Sequence, residues 1–187
     1  MPKDAIEVLT QQHREAEQLF EQLKDTGGEN QELLDTLALE LQIHMRIEED
    51  ILYPFIRSEV PDGGEMMDEA EEEHKEGKEG LQKLVDKAGS EGWEQVLEML
   101  EQGIKHHVEE EETEVFPKLR ETVDEARLQQ FGEELEQAAM RMRAEGSAES
   151  GGKRTRDELY AEAKEIGIEG RSTMSKDELA EAVEQQQ

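Results

Sequence analysis

Eleven residues that begin at His44 return in outline at His107. His44-Met-Arg-Ile-Glu48-Glu49-Asp-Ile-Leu-Tyr53-Pro54 is answered by His107-Val-Glu-Glu-Glu111-Glu112-Thr-Glu-Val-Phe116-Pro117, so that His, two Glu, an aromatic and Pro recur 63 positions apart. His74 follows His13 at nearly the same interval, 61. The chain thus reads as two helical hairpins, each supplying a lone His and then a His-x-x-x-Glu. Residues four apart share one helix face with Cβ atoms about 5–6 Å apart, so an imidazole and a carboxylate can converge on one small volume. Two such hairpins, folded together, aim four imidazoles and two carboxylates inward.

Apolar periodicity supports helices and nothing else; no stretch alternates convincingly as a strand. The first helix is expected from an N-cap at Asp4 to Gly27-Gly28, burying Ile6, Leu9, His13, Ala16, Phe20 and Leu23. The second starts near Asn30 and carries Leu34, Leu37, Leu41, His44, Glu48, Ile51 and Phe55 on its stripe, with Pro54 expected to bend or end it. After the turn Pro61-Asp62-Gly63-Gly64, the third carries Met67, Ala70, His74, Gly77, Leu81, Leu84 and Ala88. The fourth opens near Ser90–Trp93 and aligns Trp93, Leu97, Leu100, Ile104, His107, Glu111 and Val115, with Pro117 marking its end or a kink. A further amphipathic helix over 124–144 would pack Leu128, Phe131, Leu135, Ala139 and Met142. A flexible Gly/Ser linker is expected at 146–153, and a separate small unit at 154–187. The expected class is all-α: an up-down four-helix bundle over 1–145 with a small C-terminal module.

Of 187 residues, 34% are hydrophobic, 4% aromatic and 38% charged, which suits long helices with one apolar stripe. The net charge of −29 opposes general binding to nucleic acid or anionic membranes and attracts cations. No cysteine is present, which removes disulfides, thiolate ligation and thiol catalysis. The N-terminus lacks the pattern of a secretory signal, and no apolar run nears the ~20 residues of a membrane span; a cytoplasmic protein is expected.

A single histidine on an apolar helix face is ordinarily a hydrogen-bonded core residue. Here four of five histidines fall on the expected buried stripes of four successive helices, joined by two Glu whose burial unpaired is costly. A metal is the simplest compensation, so His13, His44, Glu48, His74, His107 and Glu111 are the expected ligands. Imidazole nitrogens suit iron, copper, zinc or nickel, and two carboxylates can bridge a metal pair. His106 lies off the stripe and reads as a surface or outer residue, and Glu49 and Glu112 read as a solvated charged face. Tyr53 and Phe116 read as bundle packing, although a Tyr beside a metal can hydrogen-bond bound oxygen species. Met66, Met67 and Met99 read as core filler and Trp93 as a cap on the bundle end. The rival Glu-x-x-His pattern occurs at Glu71–His74 without a second copy, and it loses.

The arrangement His13, His44-x-x-x-Glu48, His74, His107-x-x-x-Glu111, with its Tyr-Pro and Phe-Pro endings, resembles the hemerythrin-like HHE cation-binding family over about residues 1–145. The resemblance implies two iron ions in an oxo- or hydroxo-bridged centre, with both Glu bridging and the four His terminal. It implies O₂, peroxide or nitric oxide as the small ligand, in a protein that binds, senses or scavenges it. A peroxidase- or catalase-like enzyme is the alternative, and no residue is assigned a catalytic role. Oxygen-carrying hemerythrins place a second His four residues after the third-helix His; Lys78 stands there, which turns the expectation from carriage toward peroxide or NO chemistry. Iron–sulfur repair members usually carry a Cys-bearing N-terminal module, absent here.

Thr155-Arg-Asp-Glu158 and Ser175-Lys-Asp-Glu178 are capping-box patterns that each open a short helix, with Ile166-Gly-Ile168-Glu-Gly170-Arg-Ser-Thr-Met174 extended between them. With Glu158-Leu-Tyr160, Ala163-Lys164 and Glu178-Leu179, this layout resembles the N-terminal module of transcription terminator Rho and SAP-type modules. Leu159, Tyr160, Ala163, Ile166, Ile168, Met174, Leu179 and Val183 would form its core. Such modules often bind nucleic acid, and Lys153, Arg154, Arg156, Lys164, Arg171 and Lys176 could touch phosphates. Residues 153–187 nevertheless carry 6 basic and 9 acidic side chains, so a protein partner, with the bundle gating an adaptor, is an equal expectation.

Overall fold

The computed structural model describes residues 2–26 and 30–152, the latter with backbone only at 147–152, together with residues 166, 168, 182 and 183. The chain divides into two compact units, Met1–Arg143 and Ala144–Gln187.

In the first unit, α1 (Ala5–Thr26) opens on a reciprocal capping box: Asp4 Oδ1 accepts from the Glu7 N–H at 2.8 Å, and Glu7 Oε2 from the Asp4 N–H at 3.0 Å. α2 (Gln31–Ile47) is capped by Asn30, whose Oδ1 accepts from the Leu33 N–H. α4 (Gly63–Asp86) follows a turn in which Asp62 takes a positive φ. A Cβ on Gly63 would lie 2.1 Å from the Ile56 carbonyl oxygen, so only glycine allows that close return. α5 (Trp93–Glu110) begins after Gly92, also at positive φ.

The bundle is a ring: α1 packs on α2 and α5, and α4 packs on the same two helices. The short connections between neighbours in sequence make them antiparallel, giving the expected up-down bundle. Two apolar layers sandwich a polar one. Phe20, Leu23, Leu34, Leu37, Leu41, Leu81, Leu84, Trp93 and Leu97 fill one side. Leu9, Ile47, Leu52, Ile56, Met67, Phe116 and Leu119 fill the other, where Leu128, Phe131, Leu135, Ala138 and Ala139 of the fifth long helix, α7 (Glu125–Gly152), close over it. Each buried Leu, Ile, Phe or Met among them contributes about 1.5–3 kcal/mol by leaving water.

Four features depart from the sequence-based expectations. Pro54 and Pro117 neither end nor simply kink their helices. Each is preceded by a π-helical turn, π1 (Glu48–Leu52) and π2 (Glu111–Val115), after which α3 (Tyr53–Glu59) and α6 (Phe116–Thr122) continue. A proline lacks the N–H that an α-helix needs and clashes with the carbonyl four residues back; widening the preceding turn relieves both. Met99 is not core: it lies opposite the Leu97–Leu100–Ile104 seam and is 73% exposed. α7 runs on through 146–152, so that backbone is helical where a Gly/Ser linker is expected. Glycine costs a helix only about 1 kcal/mol against alanine, and Ala148 and Glu149 favour it. Ile166, expected in the C-terminal core, is 41% exposed, whereas Val183 is buried. Apart from these two residues and from Ile168 and Ala182, the expected helix–extended–helix module over 154–187, with its basic residues, lies outside the described residues.

Candidate metal centre

The polar layer consists of the six residues whose spacing the repeat sets. His13, His44, Glu48, His74, His107 and Glu111 come from four helices and the two π turns, and all are buried, Glu48 completely. Glu48 and Glu111 are the first residues of π1 and π2, so the widened turns start at the carboxylates. One oxygen or nitrogen from each of His13, His44, Glu48 and Glu111 fits within a sphere of ligand-sized spacing, and so does one from each of Glu48, His74 and His107. Glu48 belongs to both sets, which makes the layer two adjoining donor groups with a shared carboxylate.

The spacing is that of ligands rather than hydrogen bonds. Glu111 Oε2 lies 3.2 Å from His13 Nε2, and Glu48 Oε2 lies 3.3 and 3.4 Å from His44 Nε2 and His74 Nε2. His74 Nε2 and His107 Nε2 are 3.0 Å apart. Atoms bound about 2.1 Å from one cation at tetrahedral or octahedral angles lie about 3.0–3.4 Å from each other. Among the described residues, His13 Nε2, His44 Nε2, both oxygens of Glu48 and Glu111 Oε2 are buried without a hydrogen bond. Each such group costs a few kcal/mol unless something binds it, and cations held in the two donor groups would satisfy them together.

The outer nitrogens show which way the imidazoles are turned. His13 Nδ1 lies 2.9 Å from Glu112, His74 Nδ1 3.0 Å from Glu49, His107 Nδ1 2.9 Å from Glu73, and His44 Nδ1 2.9 Å from the Gln12 amide oxygen. Carboxylates and amide oxygens only accept, so every Nδ1 carries a proton and every Nε2 turns its lone pair inward. The lone His of each hairpin is held by the Glu after the other hairpin's ligand Glu. Glu49 and Glu112 are therefore not part of a solvated charged face, contrary to expectation. Arg14 grips Glu112 at 2.6 Å, and Lys78 grips Glu49 at 2.6 Å instead of reaching the centre. His106 is exposed, 3.6 Å from Glu73 and 3.4 Å from Glu110; these three form a further possible cation group at the surface.

Tyr53 does more than the packing expected of it. It is fully buried, and its hydroxyl lies 3.2 Å from His74 Nε2 and 3.3 Å from Glu111 Oε1. Its counterpart Phe116 stacks on His13 with rings 4° from parallel. The sequence held signals for the partners that reading it missed. Glu49 and Glu112 recur at the ligand interval of 63, and Gln12 and Glu73 each precede a lone His, 61 apart.

Burial and mutual repulsion leave the metal-free centre at odds with itself. Burial holds His44 well below the usual histidine range, helped by the neighbouring His13. Burial and His107 bring His74 down to about 4. At His107 burial also pulls downward, but Glu111 and Glu73 outweigh it and hold the group above its ordinary value. Burial and the charge of Glu111 push Glu48 well above the carboxylate range. Glu111 is held below that range because His107, His13 and His44 outweigh its burial.

Comparison with known proteins accords with this architecture. Residues 4–119 match the model of the hemerythrin HHE cation binding domain, and residues 155–187 match the N-terminal domain of Rho termination factor. A crystal structure of a hemerythrin HHE cation binding domain-containing protein from Mycobacterium kansasii aligns over 99% of both chains with a TM-score of 0.67 and 22% identity, and shares the fold. No curated protein matches. The first match spans most of the chain and contains all six inward-facing residues: the chain belongs to the hemerythrin HHE cation binding domain family, and its bundle has a metal-binding role.

Proposed function

We propose that this chain is a non-haem di-iron protein that binds, senses or scavenges O₂, peroxide or nitric oxide, with His13, His44, Glu48, His74, His107 and Glu111 as the metal ligands. The observation that carries the reading is the set of buried Nε2 and carboxylate atoms converging from four helices, five of those atoms without a hydrogen bond. Neutral imidazoles with two carboxylates suit iron, and a carboxylate common to two donor groups suits a pair. Two irons bound there would supply adjacent redox-active centres to a small ligand.

The remaining work falls to the chain. Glu112, Glu49, Glu73 and Gln12 hold the imidazoles in the ligating tautomer. Tyr53 keeps its proton, because burial and the charge of Glu48 push its phenol well above its ordinary value. Its hydroxyl can therefore donate to Glu111 Oε1 or to an oxygen atom held beside it. Ala16, Leu41, Met45, Ile104 and Val108, together with Gln12, Glu15 and Glu40, line a small cleft of about 20 Å³ that reaches His13, His44 and His107. Its mostly apolar walls admit a diatomic or a peroxide more readily than an ion.

The test is stopped-flow absorption of iron-loaded protein mixed separately with O₂, H₂O₂ and NO. A saturable spectral change with one of them, lost in His107→Ala, supports the reading; iron-loaded protein inert to all three contradicts it. Sustained O₂ release from H₂O₂ would select the enzymatic alternative, with a peroxide-decomposing oxidoreductase at the same centre. The Rho termination factor match supports an adaptor role for residues 155–187 toward nucleic acid or a protein partner. A low-salt gel shift that disappears on removing residues 153–187 would support the nucleic-acid version.

A further inference from the structure

The two hairpins repeat one another, so residues at matching places should do matching jobs, and a place where they differ is informative. His44 and His107 correspond, and so do Gln12 and Glu73, each one residue before a lone His. Both hold the Nδ1 of their partner histidine at 2.9 Å. One is a neutral amide and the other a carboxylate. The contrast is sharper than at the other two histidines. Glu112 and Glu49 share their charge with Arg14 and Lys78, whereas the described ion pairs of Glu73 are only with His107 itself at 2.9 Å and the exposed His106 at 3.6 Å, with no Lys or Arg among them. The aromatic pair breaks the repeat in the same direction. The Tyr53 phenol reaches His74 and, from the other donor group, Glu111, whereas Phe116 offers His13 only a ring face.

A carboxylate on Nδ1 pulls on the proton and makes Nε2 a stronger donor; an amide does so far less. We infer that Gln12 makes the position at His13 and His44 the weaker of two inequivalent metal positions, filled last and emptied first. The His74/His107 position, backed by Glu73 and flanked by Tyr53, is the tight one. The cleft, lined in part by Gln12, His13, His44 and His107, reaches both positions, with two of its three histidines from the weaker one. This inference rests on the two-metal reading above.

The experiment titrates the metal-free full chain with Co²⁺, following both heat and visible absorption. The wild type should bind in two resolved steps whose affinities differ on the order of 10–100-fold, the range over which outer partners alter metal affinity. Gln12→Glu should tighten the second step by on the order of tenfold and leave the first in place. Glu73→Gln should instead weaken the first step, and His44→Ala should abolish the second alone. The carboxylate introduced by Gln12→Glu would join Glu15 and Glu40 at the cleft, but Arg143 already pairs with Glu40, and circular dichroism checks that each variant keeps the bundle. Two equivalents whose affinities Gln12→Glu and Glu73→Gln leave unmoved, or move together, overturn the inference and leave the two-metal reading standing. A single equivalent in the wild type overturns both.

Discussion

His74 and His107 face each other across 3.0 Å with both Nδ1 protons committed outward, so two lone pairs meet in a dry interior unless a proton or a cation lies between them. Glu48 adds a fully buried carboxylate with neither oxygen bonded. A site organised this way is destabilising when empty, and that has a measurable consequence. Glu48→Leu should raise the stability of the metal-free protein by about 1–3 kcal/mol in denaturant unfolding while abolishing metal binding. A loss of metal-free stability would show that the carboxylate is satisfied by other means. The pH dependence follows from the histidines. His44 and His74 have folded values below the unfolded one, His74 at about 4. Between about pH 6.5 and 4 the unfolded chain takes up protons that the fold refuses, so metal-free stability should fall as pH falls through that window. The raised groups, Glu48 and His107, act in the opposite sense, losing their contribution as pH rises through their folded values. Thermal melts of chelator-treated protein from pH 7 to 4 check the histidine contribution: the double replacement of His44 and His74 should lose less stability on acidification than the wild type.

The helices themselves were legible wherever an apolar stripe met a capping residue, as at Asp4 and Asn30. The six inward residues were legible because histidine is scarce and the repeat is not. Their outer partners were not, since Glu is abundant in this chain and a residue one step off the stripe declares its role only once its neighbouring helix is known. The π turns were hidden for a different reason. Proline announces a disturbance without saying whether the helix ends, bends or widens, and the outcome here is set by the need to keep Glu48 and Glu111 facing inward with Tyr53 and Phe116 beside them. Deleting Thr113, an exposed residue inside π2, should restore an α-helical turn with Phe116 and Pro117 still facing as they do, because the Phe116 N–H already bonds the Glu111 carbonyl across the widened turn, while the tighter turn re-aims Glu111 and Glu112. Far-ultraviolet circular dichroism should be nearly unchanged while metal stoichiometry falls. Full metal occupancy in that variant would mean that the widened turn plays no part in the site.

At the scale of the molecule, the chain carries a net charge of −29, and its cation site is closed off by four helices. The field concentrates divalent cations near the surface and is screened over about 10 Å at 0.1 M salt. Loading of metal-free protein, followed by stopped-flow absorption, should therefore slow as ionic strength rises, with the final stoichiometry unchanged. A rate indifferent to salt would confine electrostatics to the buried layer. Among the described residues no helix is long and apolar enough to cross a membrane. The central claim is that the four imidazoles and two carboxylates hold a pair of irons. It is tested most directly by metal analysis of protein purified after iron-replete expression, read beside its near-ultraviolet and visible spectrum. The account expects about two irons per chain with ligand-to-metal absorption, both lost in His44→Ala combined with His107→Ala; one zinc per chain and no iron would contradict it.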